Sequence, residues 1–194
     1  MDQWQAVIEG LLAAKAAGLH PVKLNTVLMN GINDDEIVPL VEFAIAHALE
    51  LRFIEWMPTN PLVDLEREGK FLSNDVAQAR IERYYRLRPD DADPHSPARS
   101  FAIDGTQARV GFINPLSNLF CAMCNRVRLK VTGRIKTCLH GAEELDLKTM
   151  LRTGTAREEI KQTIAAAVFL RPEQHFLNRL DVAHHDFVMT HVGG

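Results

Sequence analysis

Cysteine is scarce: the chain has three among 194 residues. So small and odd a count builds no disulfide framework, and a chain of this length needs none. Long apolar runs are missing too. No stretch reaches the about 18 consecutive apolar residues of a membrane-spanning helix, so no membrane partner is expected. The opening MDQWQAVIEG lacks the basic-then-apolar order of an export signal, and the expected location is the cytoplasm. Neither sign of charge dominates, with a formal net value of -3, so nothing global argues for nucleic acid and no nucleic-acid partner is expected. Internal repeats and low-complexity tracts are absent. What is present is the balance of a globular protein, 46% hydrophobic and 24% charged, long enough for one sizeable core or a core with an appendage.

Trp4, Val7, Ile8, Leu11, Leu12 and Ala16 recur at helical spacing and predict a helix stopped by Gly18. Val22, Leu24, Thr26 and Leu28 alternate with Lys23, Asn25 and Val27, a strand signal over Pro21–Met29. Asn30–Gly31 makes a turn. Asn33, Asp34 or Asp35 offers the cap of a second helix running to about His47. Leu51–Met57 reads as another strand, ended by Pro58. Helix, strand, helix, strand is the rhythm of an α/β fold with parallel strands, although two such strands leave both edges open.

Further along, a helix is expected from Asp75 to about Leu87, and a linker over the proline-rich Arg88–Ser100. Strands over Phe101–Gly105 and Ala108–Ile113 meet at a turn. Arg126–Val131 and Arg134–Thr137 flank Thr132–Gly133 as in a short hairpin. Helices at about Leu147–Thr153 and Ala156–Leu170 precede a polar tail.

The chemistry concentrates in CAMCNRVRLKVTGRIKTCLHG, from Cys121 to Gly141. Cys121 and Cys124 can turn toward one centre, and Cys138 follows after 13 residues, room for a hairpin. Thiolates select zinc, copper(I) or iron–sulfur clusters. Three readings stay open on spacing alone: structural zinc with His140 as fourth ligand, an iron–sulfur site with one open iron, and plain buried or reactive thiols. The same segment holds Arg126, Arg128, Lys130, Arg134 and Lys136 and no acid. On a strand, Arg126, Arg128 and Lys130 share one face, and guanidinium forks match phosphate oxygens. The alternatives are a solvated basic face or charge compensation for thiolates.

Here the sequence closely resembles the carboxy-terminal part of the molybdenum cofactor biosynthesis protein A family, radical S-adenosylmethionine enzymes with GTP 3′,8-cyclase activity. The matching pieces are Phe120–Leu129 (FCAMCNRVRL), Thr132–Leu139 (TGRIKTCL), Val22–Asn33 (VKLNTVLMNGIN), Arg52–Pro58 (RFIEWMP) and Val192–Gly194 (VGG). The resemblance implies an α/β fold: a partial TIM-like barrel over residues 1–60, followed by an α+β iron–sulfur region over 61–194. It implies that Cys121, Cys124 and Cys138 ligate a 4Fe–4S cluster whose open iron contacts the guanine of GTP. Lys23, Arg126, Val127 and Arg128 would bind GTP, and Met57 would contact S-adenosylmethionine. Asn25 and Arg52 would face the cavity, and Gly193–Gly194 would enter it. From the residues alone, Lys23 could equally be an edge lysine, Met57 a core residue, Glu55 an arginine brace or a solvated acid, and the glycines a floppy end.

Family enzymes convert GTP to 3′,8-cyclo-7,8-dihydro-GTP, a molybdopterin precursor, using S-adenosylmethionine and a second cluster on an amino-terminal Cys-x-x-x-Cys-x-x-Cys. No such motif occurs in this sequence. The expectation is therefore a substrate-side portion that binds GTP and does not turn over without an amino-terminal half, as a fragment, a mis-started frame or half of a split enzyme. A homodimer is the other partner expected. The alternative is a non-catalytic zinc- or iron–sulfur-binding module or an inactive truncated chain.

Overall fold

The computed structural model describes residues 3–57, 69–90, 95–141 and 143–175. Pro58 and Gly193–Gly194, singled out above, lie outside them. The chain forms two compact units, Met1–Trp56 with Gly69–Pro115 and Met57–Glu68 with Leu116–Gly194.

In the first unit, α1 (Gln3–Ala16), β1 (Lys23–Leu28), α2 (Ile37–Ala46) and β2 (Glu50–Glu55) realise the expected rhythm. Next come α3 (Asn74–Ile81), β3 (Leu87–Pro89), β4 (Ala98–Ile103) and β5 (Arg109–Ile113). The five strands form one sheet in the order β1-β2-β5-β4-β3. β1, β2 and β5 run parallel, whereas β4 and β3 are antiparallel additions.

This sheet is open, and the expected partial TIM-like barrel is not formed. A barrel closes when parallel, staggered strands return the last to the first. Here β4 and β5 pair as a hairpin, so the strand order turns back on itself and ends at the three-residue β3. Pro89 can sit there because an edge strand need not donate every ladder hydrogen bond. The stretch expected as a linker thus supplies part of β3 at one end and the start of β4 at the other.

One face of this sheet carries the core. Leu51, Phe53, Val110 and Phe112 are buried against Ile37, Val41 and Ala44 of α2 and Ala77 and Ile81 of α3. The rings of Phe53 and Phe112 stack at 6.2 Å, and Phe101 meets Phe112 edge-on at 5.7 Å. Truncating such a ring costs about 3–5 kcal/mol.

Asn33 and Asp34 do not cap α2, whose N-cap is Glu36. Asn33 Oδ1 accepts from the Met29 amide at 2.9 Å, and Asp34 Oδ1 from Gly31 at 2.7 Å. Short polar side chains compete for nearby amides in turns as readily as at helix starts. α3 is shorter than expected because the chain turns at Tyr84–Tyr85 to enter β3.

The second unit contains a 3-10 turn, Cys121–Met123, then β6 (Arg128–Leu129), β7 (Arg134–Lys136) and β8 (Glu144–Asp146) as an antiparallel sheet. Two helices follow, α4 (Leu147–Arg152) and α5 (Arg157–Phe169). No described helix is long and apolar enough to cross a membrane.

Candidate functional site

The polar face of the five-stranded sheet gathers one set of candidates. Register pairs Lys23 with Glu50 and Asn25 with Arg52 across β1 and β2. Glu50 binds both neighbouring cations: Arg52 Nη2 lies 2.6 Å from Oε1, and Lys23 Nζ lies 3.8 Å from Oε2. Arg52 Nε also donates to Oε1 at 2.7 Å, so its guanidinium is held along its own strand. Lys23, with 40% of its side chain exposed, keeps access to solvent, as does Asn25. The alternation read from sequence therefore puts Lys23, Asn25 and Arg52 on one face, with Glu50 as the brace.

Glu55 is not the solvated acid that was one alternative for it. It is buried on the core side at the carboxyl end of β2. Its Oε1 accepts from the Asn74 amide at 3.3 Å and from Asn114 Nδ2 at 3.2 Å. Asn74 Nδ2 in turn reaches the carbonyls of Phe53 and Ile113. These bonds fasten the carboxyl ends of β2 and β5 to the start of α3. Met57, just beyond, is half-buried and belongs to the second unit.

In the second unit, β8 changes the electrostatic picture. Arg128 pairs in register with Lys136, Lys136 with Glu144, and Arg134 with Asp146, so all five side chains emerge on one face. Leu129, Ile135 and Leu145 occupy the other face. Lys130 binds Glu144 at 2.7 Å, and Arg134 reaches Asp146 at 3.5 Å. The Lys130 hydrogen bond holds the Glu144 carboxyl below its ordinary range, and the Thr149 amide does the same for Asp146. Burial pulls the Lys136 ammonium below its ordinary value, with Glu144 opposing.

Arg126 and Arg128 have no carboxylate partner among the described residues. Both are half-buried, and the Arg126 guanidinium lies 5.7 Å from the centre of the Phe120 ring. Val127 between them is exposed. The basic segment thus separates into neutralised cations, Lys130 and Arg134, and two guanidiniums whose charge is unspent. Such a pair suits an anion with several oxygens.

The cysteines do not behave as expected. Cys121, Cys124 and Cys138 are free, half-exposed thiols. Among the described residues, no group of three or more histidine, cysteine, aspartate or glutamate side chains is placed to hold a metal ion. This overturns the 4Fe–4S cluster expected on these three residues, and equally zinc on them with His140. Spacing fixes how near the backbone segments can come, whereas convergence also requires the Cα–Cβ bonds to point inward. Those directions are set by separate local turns. Cys124 leaves its turn in an extended conformation, and the Cys138 carbonyl accepts from the Gly141 amide at 3.3 Å. As arranged, these residues do not fit a resident metal group.

Sequence reasoning missed Arg171 and His175. Arg171 Nη2 donates to the Cys124 carbonyl at 2.7 Å, and the His175 and His140 rings meet edge-on at 5.0 Å. Neither lies in a periodic or motif-bearing stretch, so no local signal marked them.

The described residues form an open α/β unit and a small antiparallel sheet with a basic, partly unpaired face. The sequence model described as Molybdenum Cofactor Synthesis C matches residues 49–177, and the chain belongs to that family. It is 41% identical over 175 residues to a GTP 3′,8-cyclase of Ectopseudomonas mendocina, covering 90% of this chain and 53% of that protein. GTP 3′,8-cyclase 2 of Pseudomonas aeruginosa gives the same identity and coverage. A GTP 3′,8-cyclase of Syntrophomonas wolfei is 39% identical over 173 residues, 89% of this chain and 53% of that one. The chain spans about half the length of the curated relatives it matches.

Proposed function

We propose that this chain is a non-catalytic, GTP-binding portion of a GTP 3′,8-cyclase-type system in molybdenum cofactor biosynthesis. The observation that carries the reading is the pair Arg126 and Arg128, one just before β6 and one at its start, with no carboxylate partner among the described residues. Two guanidiniums with Val127 between them offer bidentate bonds to a triphosphate. The choice of GTP over other nucleotides is supported by the names of the relatives. Within the other unit, Lys23 on the polar face of β1 is a separate candidate for an anionic group.

The reading assigns no turnover to this chain, in keeping with its covering 53% of each of those relatives. Formation of 3′,8-cyclo-7,8-dihydro-GTP would belong to a complete system containing a further polypeptide segment.

Equilibrium binding of GTP, measured by calorimetry on the full chain at low salt, tests the proposal. Arg126→Ala and Arg128→Ala should each weaken binding about 10-fold or more, the worth of a charge-assisted hydrogen bond. Arg86→Ala, far outside the segment in sequence and exposed, should leave affinity unchanged. Absence of GTP binding, or equal affinity in the Arg126 and Arg128 variants, would rule the reading out.

A further inference from the structure

Only three residues separate the Cys124 carbonyl from the first ladder pair of the basic hairpin. Cys124 ends the 3-10 turn with φ -72 and ψ 116, where the chain passes from a tight turn to an extended path. At the far side, Arg128 is fixed by its pairing with Lys136. Between these points lie Asn125, Arg126 and Val127, none of which is in a ladder or helix. A segment this short has a defined course when both ends are held, and swings about one end when either is released.

The near end is held by Arg171. Its Nη2 donates to the Cys124 carbonyl at 2.7 Å, from a position 47 residues further along the chain. Holding that oxygen fixes the plane of the peptide joining Cys124 to Asn125, and hence the direction in which the chain leaves toward Arg126. Arg171 is itself seated where α5 ends, with its amide donating to the Val168 carbonyl at 3.3 Å. Four residues on, His175 is buried and its ring rests on His140, two residues past Cys138. The stretch from Arg171 to His175 therefore touches both cysteine-bearing turns.

We propose that Arg171 is a positioning residue for the anion-binding segment Arg126–Arg128. It does not touch the ligand; it sets the backbone from which both guanidiniums extend. The affinity part of this inference rests on the nucleotide reading above, whereas the anchoring part stands on the geometry alone. Lysine in place of Arg171 would reach toward the same carbonyl with a single ammonium, and methionine would keep the stem while losing the donor.

The experiment compares the full chain with Arg171→Met and Arg171→Lys by amide hydrogen exchange and by GTP binding. Arg171→Met should speed exchange across residues 121–128 about 10-fold, with β7 and β8 and the melting temperature nearly unchanged, and Arg171→Lys should restore part of the protection. GTP affinity in Arg171→Met should fall about 5–10-fold, by the same factor at about 50 and about 300 mM salt, since a lost anchor is not screened. Unchanged exchange at 121–128, or a rise spread evenly over the second unit, would overturn the inference. So would an affinity loss that disappears at the higher salt, which would make Arg171 a distant charge. Failure of the unmodified protein to bind GTP would remove the nucleotide reading alone, and the exchange pattern would still decide the anchor.

Discussion

Asn74 Nδ2 donates to the Ile113 carbonyl at 2.9 Å, so the first residue of α3 is fastened to the last residue of β5. The same amide lies 3.1 Å from the Phe53 carbonyl and 3.3 Å from Asn114 Oδ1. Asn74→Ala strands these buried acceptors together and should cost about 2–3 kcal/mol in urea unfolding. A loss under about 1 kcal/mol would show that water readily replaces the amide.

Three helices end in the same hydrogen-bond pattern, with different residues at the left-handed position. After α1 it is Gly18, with φ +78, and after α4 it is Gly154, with φ +76. After α2 it is Ala48, with φ 49, bracketed by Ala48 N–H to Ile45 O and Leu49 N–H to Ala44 O. A Cβ in this conformation costs roughly 1 kcal/mol. Ala48→Gly should therefore stabilise the protein by about 0.5–1 kcal/mol, seen as a higher urea midpoint with unchanged slope. A destabilised variant would contradict the cap assignment.

Gly133 closes the basic hairpin with φ +80, and a Cβ there would stand 2.6 Å from Lys148 Cβ. Gly133→Ala meets both backbone strain and a clash, for a loss of about 1–3 kcal/mol. If the hairpin presents Arg128 to a nucleotide, GTP affinity should fall with it. Full retention of stability would mean that the turn re-forms another way.

Acid should weaken the second unit through Glu144. Its folded-state pKa lies below the ordinary 4.5 because Lys130 hydrogen-bonds the carboxylate. Between the two values the unfolded chain holds more protons, so this contribution is present above about pH 4.5 and is lost as pH falls through the folded value. Asp34, lowered first by the Gly31 amide, acts in the same direction from 3.8 downward. Lys130→Met should move the Glu144 carboxyl titration upward by NMR. An unmoved titration would remove Lys130 as the cause.

Much of the local structure was legible because it follows from alternation and spacing. The period of two in Val22–Leu28 placed Lys23 and Asn25 together opposite Leu24, and β1 has that arrangement. The hairpin about Gly133 follows from a glycine between two alternating runs. β8 escaped notice because Glu144–Asp146 is three residues long, too short to show a period. Sheet order was equally out of reach, since which strand lies beside β2 is a long-range choice that local alternation does not encode.

By itself the sequence determined which side chains share a strand face, where glycine must turn the chain, and that positive charge is concentrated after Cys124. Only the tertiary structure decided which of those charges are spent. Glu144 and Asp146 arrive through the pairing of β8 with β7 and neutralise Lys130 and Arg134, leaving Arg126 and Arg128 without a carboxylate among the described residues. It also decided that the three thiols do not assemble into a metal site. Side-chain convergence depends on the dihedral angles of separate turns, and residue spacing constrains only the length of chain between them.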